Sequence, residues 1–303
     1  MAAPPRFSVV LPVYDRADQL AGAVSSVLGQ TAPDLELIVV DDASSDAAAV
    51  AATVNAFADP RARLVVRSRN GGVAAAQNTG LAEARGEFVA FLHSDDRFAP
   101  DKLTAQGAAL AAAPASVLAV ESACVVAGRP GAVEPGLRGV GFEELLAFTC
   151  GVHVVPMLFR RAPVVDLGFD EGLRAWEDWD LIVGLLRRGE VITTDDVVAE
   201  LRRDGDDRLT TSPWMAHGLE RLLHRYAGEL SERPGVRAVW HVKLARAHIR
   251  NGAMRQARHH LVHAVRDDPR RARLLIPAVA TLLGRAMGQR AWRLYEQLGR
   301  RLS

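Results

Sequence analysis

Short apolar segments alternate with helix-like segments over the first hundred residues, and this alternation is the strongest constraint on the fold. The apolar segments have the length and composition of strands: Phe7–Val13, Leu35–Val40, Arg63–Arg67 and Glu87–Leu92. The stretches between them have helical spacing: 18–28, 45–57 and 73–84. Strands that alternate with helices form mostly parallel sheets covered by helices on both faces. We therefore expect an α/β domain.

The pattern becomes less regular after residue 115 and turns helical near Pro213. We expect an extended pair at 116–127, a Gly/Pro-rich loop at 128–141, strands at 153–159 and 197–202, and a helix at 178–188. The change predicts an α/β domain at 1–212 and an all-helical appendage at 213–303. Residues 240–269 have the spacing of one tetratricopeptide-like hairpin. Because such arrays need about three repeats, a plain αα-hairpin is favoured.

Charge separates the two parts of the chain. Residues 1–230 contain 21 basic and 32 acidic side chains, whereas residues 231–303 contain 16 and 4. In the basic part, Arg270, Arg271 and Arg273 precede the apolar run 274–276. This arrangement fits peripheral contact with an anionic membrane, a homodimer or other protein interface, or a solvated appendage. Nucleic-acid binding is disfavoured because aromatic residues are sparse and no known motif is present.

Three features bear on the compartment. Cys124 and Cys150 lack a C-x-x-C neighbour and are interpreted as small buried residues in a reducing environment. The first six residues contain no apolar run typical of a signal peptide. The apolar stretch 274–287 contains Pro277, Gly284 and Arg285 and falls short of the roughly 20 residues that span a bilayer. We expect a cytoplasmic protein, in peripheral contact with the inner face of the plasma membrane if the basic helices bind lipid.

Acidic and polar clusters follow three of the predicted strands: Pro12–Asp15, Asp41–Ser44 and His93–Asp96. Ligands of open α/β sheets bind at the carboxyl ends of the strands. Neighbouring carboxylates repel each other unless a divalent cation or a hydrogen-bond donor such as a nucleobase lies between them. Asp and Ser also end strands and cap helices, so each cluster alone has two explanations. Ser44 or Ser45, for example, is placed to cap the helix that follows.

Several common motifs are missing from the sequence. No G-x-G-x-x-G follows the first strand, which removes the main argument for a dinucleotide-binding dehydrogenase. No P-loop, H-E-x-x-H or G-x-S-x-G segment occurs either.

Five segments resemble motifs of the family 2 glycosyltransferases of the GT-A fold, in the order and spacing of that family. They are VVLPVYD at 9–15, VVDDAS at 39–44, NGGVAAAQNTG at 70–80, FLHSDD at 91–96 and WEDWD at 176–180. The resemblance covers about residues 5–210. It implies a Rossmann-like mixed sheet with helices on both faces. It also implies inverting transfer of a sugar from a nucleoside-diphosphate sugar, UDP-sugar foremost, to a hydroxyl of a glycan or lipid-linked acceptor in bacterial surface polysaccharide or glycoconjugate synthesis.

The resemblance also implies roles for individual residues. The donor would contact Pro12, Tyr14, Asp42, Asn70, Gly71, Asn78, Ser94 and Asp95. Within this set, Tyr14 would lie against the base and Asp42 would accept a hydrogen bond from it, as a carboxylate only accepts. Asn70 and Gly71 would bring the backbone close to the diphosphate at a helix N-terminus.

The implied metal ligand is Asp95, which would hold Mn²⁺ or Mg²⁺ against the diphosphate. The chain departs from the family here, because His93 stands where Asp is usual. This change either weakens the site or favours Mn²⁺, which accepts imidazole better than Mg²⁺ does. His93 and Asp96 are therefore further candidates for the site.

The implied general base is Asp178. Trp176 and Trp179 would form an apolar wall beside it, and Glu177 is a further candidate. A second departure lies at Asp204, where the family often has His. Two nearby arginines, Arg202 and Arg208, are candidates for neutralising phosphate.

Two alternatives stay open. A nucleotidyltransferase on a related sheet would release pyrophosphate rather than a nucleoside diphosphate. A non-catalytic binding protein with a GT-A-like fold is the other, motivated by the departures at His93 and Asp204.

Overall fold

The computed structural model describes residues 4–128, 133–134, 141–148, 152–202 and 214–302. These residues form two compact units. The first contains residues up to 145, 152–172 and 177–202, and the second contains 146–148, 173–176 and 214–302. Two short segments that precede the predicted boundary at 212 thus belong to the second unit.

A mixed sheet, with nine strands among the described residues, forms the centre of the first unit. Its strands in chain order are β1 (Phe7–Val13), β2 (Leu35–Asp41), β3 (Ala62–Val66), β4 (Phe88–Phe91), β5 (Arg97–Phe98), β6 (Val117–Val126), β7 (Val133–Glu134), β8 (Met157–Arg160) and β9 (Glu190–Leu201). The order across the sheet is β3-β2-β1-β4-β8-β6-β9-β5, with β7 beside β6. The first four strands in this order are parallel, and β8 runs antiparallel to both of its neighbours.

Helices cover both faces of the sheet, as expected from the sequence. The helices that begin in this unit are α1 (Ala17–Leu28), α2 (Ala47–Asn55), α3 (Val73–Glu83), α4 (Lys102–Ala112), α5 (Phe142–Leu146), α6 (Arg161–Leu167) and α7 (Glu177–Leu186). Val9 and Leu11 of β1 share a core with Leu20 of α1. Val10 points the other way, towards α3, where Gly80 permits a close approach: a Cβ there would lie 2.3 Å from Val10 Cγ1. This alternation is the period-2 pattern of a strand buried on both faces.

Some predicted elements were wrong in detail. The expected extended pair at 116–127 is the single strand β6, because no Gly, Pro, Asn or Asp interrupts 117–126. The strand expected at 153–159 begins only at Met157, and the one expected at 197–202 begins already at Glu190. Helix α4 was not predicted. Most of the loop predicted at 128–141 lies outside the described residues.

The second unit is helical. Its helices are α8 (Trp214–Arg225), α9 (Ala227–Ser231), α10 (Pro234–Asn251), α11 (Met254–Asp267), α12 (Leu275–Ala280) and α13 (Arg285–Leu302), with 3-10 helices at Pro269–Leu274 and Thr281–Leu283. Helices α10 and α11 form the hairpin expected at 240–269, and Gly252 ends α10 with φ +79°. Leu261, Ala264 and Trp292 belong to the core of this unit. None of the described helices combines the length and the apolar character that a membrane span requires.

Candidate active site

The segments that follow β1, β2, β3 and β4 lie along one edge of the sheet, because these four strands are parallel neighbours. Hydrogen bonds join the segments. The Asp42 N–H donates to the carbonyl of Val13 at 2.9 Å, and the Arg67 N–H donates to the carbonyl of Asp41 at 2.9 Å. The sequence correctly predicted that the first two polar clusters meet at this edge.

Asp42 is buried and organises the segment after β3. Its carboxylate pairs with the guanidinium of Arg67 and accepts hydrogen bonds from the N–H groups of Gly71 at 3.0 Å and Gly72 at 2.7 Å. Both glycines are required here. Gly72 has φ +87°, and a Cβ on Gly71 would lie 2.6 Å from Arg67 Nη1. Asp42 therefore shapes the turn into α3. Its partner Arg67, which directly follows β3, was not predicted from the sequence.

Asp15 joins the first two clusters. Its carboxylate accepts hydrogen bonds from the N–H and the hydroxyl of Ser45 at 2.6 and 2.9 Å, and its own N–H donates to Ser44 Oγ at 3.0 Å. The prediction that a serine caps α2 was wrong, since α2 begins at Ala47 and these serines bind Asp15 instead. Asp15 and Ala43 have φ of +50° and +61°. A non-glycine residue with positive φ is costly and is a feature of organised sites.

Tyr14 presents its ring at the same edge with 47% of its surface exposed. The charge of Asp15 and the hydrogen bond to it, together with the more distant charge of Asp42, raise the pKa of the Tyr14 hydroxyl. The ring is thus held near two carboxylates and is available for stacking, as the predicted role requires.

The third cluster follows β4. Asp95 forms an ion pair with Arg16 at 3.1 Å, and both side chains are partly exposed. Asp96 is buried, accepts a hydrogen bond from the N–H of Arg202 at 2.8 Å, and lies 3.5 Å from His93 Nδ1. Arg16 was not identified from the sequence, and it is the nearest charged partner of the predicted metal ligand.

His93 contributes a positive charge to this cluster. Burial alone would lower the pKa of His93, but the hydrogen bond to Asp96 and the charges of Asp96, Asp178 and Asp95 together raise it to about 9. The Nε2 atom is buried and has no hydrogen-bond partner among the described residues. A histidine with a raised pKa therefore occupies the position where the family pattern has a carboxylate.

Asp178 and Glu177 begin α7. Asp178 Oδ2 accepts a hydrogen bond from the N–H of Val154 at 3.2 Å, while Oδ1 is buried and has no partner in the described part of the chain. Glu177 is 7% exposed. Burial and the charge of Asp178 raise the pKa of Glu177 to about 7, against the opposing charge of His93. The carboxyl groups of Glu177 and Asp178 thus have different environments. Proteins use such differences to give two neighbouring carboxyl groups different protonation states.

The other candidate residues have varied surroundings. Pro12, Ser94 and Trp179 are buried, and Asn70 is exposed. The side-chain amide of Asn78 is engaged by the loop before α7: its Nδ2 donates to the carbonyl of Phe169 at 2.9 Å, and its Oδ1 accepts from the N–H of that residue at 2.8 Å. Arg202 is exposed.

The remaining aromatic candidate, Trp176, belongs to the second unit. Its indole N–H donates to the carbonyl of Met215 at 3.2 Å, and its φ is +75°. Such a φ is a genuine outlier for a bulky residue. Arg208, Asp204 and Cys150 lie outside the described residues, whereas Cys124 is buried as expected.

Protein atoms at this edge do not by themselves complete a metal site. Over the described residues, no group of three or more ligating side chains converges around Asp95. A Mg²⁺ or Mn²⁺ ion bound to phosphates needs only one or two carboxylates, because substrate oxygens and water supply the other ligands. The arrangement at Asp95 therefore fits a cation that arrives with a diphosphate.

Residues 8–130 match the family model "Glycosyl transferase family 2". This segment of the chain therefore matches glycosyltransferase family 2. The succinoglycan biosynthesis protein ExoO of Rhizobium meliloti (strain 1021) is 34% identical over 199 residues, which are 61% of this chain and 57% of that protein. The chain thus spans little more than half the length of this curated relative.

Two solved structures share the GT-A fold with the chain. S. aureus TarS 1–349 in complex with UDP-GlcNAc is 19% identical, with a TM-score of 0.62, and the match covers 98% of this chain and 92% of that one. The mannosyltransferase PcManGT from Pyrobaculum calidifontis, in complex with GDP-Man and Mn²⁺, is 24% identical, with a TM-score of 0.56 and coverage of 96% and 83%. At these identities the likeness shows the fold. The predicted fold class and family are both confirmed.

Proposed function

We propose that the chain is an inverting glycosyltransferase that transfers a sugar from a nucleoside-diphosphate sugar to a hydroxyl acceptor. The observation that carries this proposal is the environment of the Asp178 carboxylate. Its Oδ1 is buried and unpartnered, and its charge acts on His93 beside Asp95, within a family 2 domain. In a single displacement, the acceptor oxygen bonds to the anomeric carbon as the bond to the diphosphate oxygen breaks. Asp178 takes the hydroxyl proton, and the nucleoside diphosphate leaves with the electron pair.

The donor would lie along the sheet edge. Tyr14 stacks on the base, and Asp42 both accepts from the base and holds Gly71 and Gly72 so that their backbone faces the diphosphate. Pro12, Asn70 and Ser94 line this path, whereas Asn78 acts through the loop that it holds. A UDP-sugar is the donor we propose first, and the UDP-GlcNAc complex of the S. aureus protein supports it.

A divalent cation, Mn²⁺ or Mg²⁺, would be held by Asp95. Its carboxylate is partly exposed and has only Arg16 as an ion-pair partner among the described residues. When bound, the cation would stabilise the negative charge of the departing diphosphate. The Mn²⁺ complex of the archaeal mannosyltransferase supports this assignment.

The acceptor would be a glycan or a lipid-linked glycan at a membrane surface. In the second unit, Ile276, Val279, Leu282 and Leu283 are each 61–69% exposed. Arg270, Arg271 and Arg273 precede them, an arrangement that suits an anionic lipid surface.

Sedimentation with vesicles tests this membrane contact. We expect binding to phosphatidylglycerol vesicles but little binding to phosphatidylcholine vesicles. Ile276→Asp combined with Leu283→Asp should abolish it, whereas Val262→Asp, at an exposed position on α11, should not. The alternative outcome is that the protein does not bind vesicles but forms a concentration-dependent dimer, which the double variant dissociates. In that case the apolar face would be a homodimer interface rather than a membrane contact.

A donor screen tests the transferase proposal itself. UDP-, GDP-, dTDP- and CMP-sugars would be compared by thermal shift with and without Mn²⁺, because a tight ligand stabilises the folded chain by mass action. The stabilising donor would then be incubated with acceptor and the products identified. Release of a nucleoside diphosphate supports transfer. Release of pyrophosphate would make the chain a nucleotidyltransferase, and binding without turnover of any acceptor tested would favour a binding protein.

A further inference from the structure

A cluster of histidines in the second unit is separate from the proposed transferase site. His241 and His248 come from α10, and His260 comes from α11. The rings of His248 and His260 are parallel within 4° at 5.4 Å, and those of His241 and His260 are 5.2 Å apart. Imidazole nitrogens are common ligands of transition metals, so such a cluster is a candidate metal site.

Three side chains from three helices have the spacing of metal ligands. Glu220 of α8, His248 and His260 each offer one ligand atom, and these atoms lie within 4.8 Å of one another. His248 is buried, and its Nε2 pairs with Glu220 Oε1 at 2.9 Å. Two atoms that each lie about 2.0–2.1 Å from one zinc ion are separated by roughly 3 Å. The separation of Glu220 Oε1 and His248 Nε2 is therefore compatible with two ligands of one zinc ion.

We infer that Glu220, His248 and His260 form a binding site for a transition-metal ion, preferentially Zn²⁺, which joins α8, α10 and α11. Two imidazoles and one carboxylate are a ligand set that zinc accepts readily, whereas Mg²⁺ and Ca²⁺ prefer oxygen ligands throughout. The site is distinct from the cation proposed at Asp95, because its ligands all lie in the second unit.

Hydrogen-bond partners behind the ligands favour the required tautomer of His260. Asp267 accepts two hydrogen bonds from Arg237, at 2.8 and 2.6 Å, and its carboxylate lies 3.7 Å from His241 Nε2. That carboxylate favours a proton on Nε2 of His241, which leaves its Nδ1 as an acceptor. Because His241 Nδ1 is 3.0 Å from His260 Nδ1, the latter carries the donated proton. His260 Nε2 is then unprotonated and free to bind a metal, as in carboxylate–histidine–zinc arrangements.

One of the three ligands, Glu220, lines an open cavity of about 360 Å³ together with His224, Arg237 and His241. Three protein ligands leave one tetrahedral position for water. A zinc ion bound here would bring together helices that are distant in sequence, since α8 and α11 begin 40 residues apart.

Metal binding by the full chain tests this inference. The protein, carrying Asp95→Asn so that the first-unit site does not contribute, is stripped with EDTA and titrated with Zn²⁺ by calorimetry. We expect one ion per chain and a melting temperature raised by several degrees. Glu220→Gln alters an exposed side chain and should fold normally but bind at least tenfold more weakly. His260→Gln should abolish binding. His217→Gln, an exposed histidine on α8, is the matched control and should bind like the parent.

Cobalt substitution provides a second measurement. Co²⁺ in a tetrahedral site gives strong visible absorption, which the parent and His217→Gln should show and Glu220→Gln should lose or alter. Failure of the folded parent to bind Zn²⁺ overturns the inference. So does equal zinc affinity in the parent, Glu220→Gln and His260→Gln, because the bound ion would then lie elsewhere. Asp95→Asn leaves all these ligands intact, so loss of transferase activity does not affect the outcome.

Discussion

The sheet edge of the first unit and the histidine cluster of the second both gather titratable side chains, but they accommodate them differently. At the sheet edge, carboxylates meet N–H groups and cations: Asp42 faces Arg67 and two glycine amides, and Asp95 faces Arg16. In the helical unit, imidazoles meet one another and a carboxylate: His241 Nδ1 lies 3.0 Å from His260 Nδ1, and His248 Nε2 lies 2.9 Å from Glu220 Oε1. The first region is suited to an anionic ligand that brings its own cation, and the second to a cation that is bound by the protein alone.

This difference agrees with the composition of the two parts. Part of the acidic excess of residues 1–230 lies at strand ends, where a phosphate-bound cation would offset it. The basic excess of residues 231–303 is nearly all arginine, so the buried histidines lie inside a positively charged unit. The positive net charge of the second unit would by itself argue against a cation site there. The arrangement of the buried side chains is the better guide.

The largest expected effect concerns Asp178, the base that we propose. Asp178→Asn keeps the shape of the side chain but removes its ability to take a proton. Turnover should fall by about 10²–10⁴-fold, the usual contribution of general-base catalysis, while donor affinity changes little. Initial rates of nucleoside diphosphate release, with calorimetric donor binding alongside, measure the two quantities separately.

Asp180→Asn, on the same turn of α7, is the matched control and should stay within a few-fold of the parent. If Asp178→Asn keeps full turnover, the base lies elsewhere, and the environment of Glu177 makes it the next candidate. If the donor no longer binds, Asp178 acts in binding rather than in proton transfer.

Much of the first region could be predicted from the sequence, because its features follow strand ends. The apolar runs fixed the positions of β1 to β4 within a few residues, and Asp42 and Asp95 directly follow two of those runs. The local sequence pattern does not show which side chains pair with each other in the folded chain. Arg67 and Arg16 lie near their carboxylates only after the sheet has formed. The serines expected to cap α2 instead bind Asp15, which is 29 and 30 residues away along the chain.

The second region was much harder to predict. Histidines at 241, 248 and 260 lie on two helices, and periodicity assigns each helix a buried face without showing which buried residues meet. Glu220 is 28 residues from His248 and looks like any exposed helical glutamate. Only the packing of α8 against α10 places it 2.9 Å from the imidazole. A site built from several helices can therefore be identified only from a structure, whereas a site at strand ends can be predicted from the sequence.

An intermediate effect is expected from Glu177→Gln, which tests burial of a carboxyl at the sheet edge. The pKa of Glu177 is about 7 in the folded chain against 4.5 ordinarily, mainly because of burial. Its contribution to stability is therefore fully present below pH 4.5 and is lost as pH rises through about 7. Ionisation of the buried Glu177 lowers the free energy of unfolding by up to about 3 kcal/mol. Glutamine avoids this cost, so the variant should gain stability over the parent at pH 8.5 but not at pH 5.

Urea unfolding at the two pH values measures this difference. Glu190→Gln, at an exposed position on β9, is the control and should show no such pH dependence. A gain in Glu177→Gln that is the same at both pH values would mean that packing, rather than ionisation, distinguishes the two side chains.

The smallest effect is expected in the helical unit, at the ion pair that orients the histidines. Arg237 donates two hydrogen bonds to Asp267 and lowers the pKa of that carboxyl. The stabilisation is present above the ordinary pKa of Asp and is lost as pH falls through the lowered value. Because Arg237 is about one-third exposed, solvent screens the pair, and Arg237→Gln should cost about 1 kcal/mol at pH 7. Arg237→Lys should recover only part of this, since lysine lacks the two-pronged geometry. If the loss measured by urea unfolding does not shrink as the solution is acidified, the aliphatic stem of Arg237, and not its charge, supports this region.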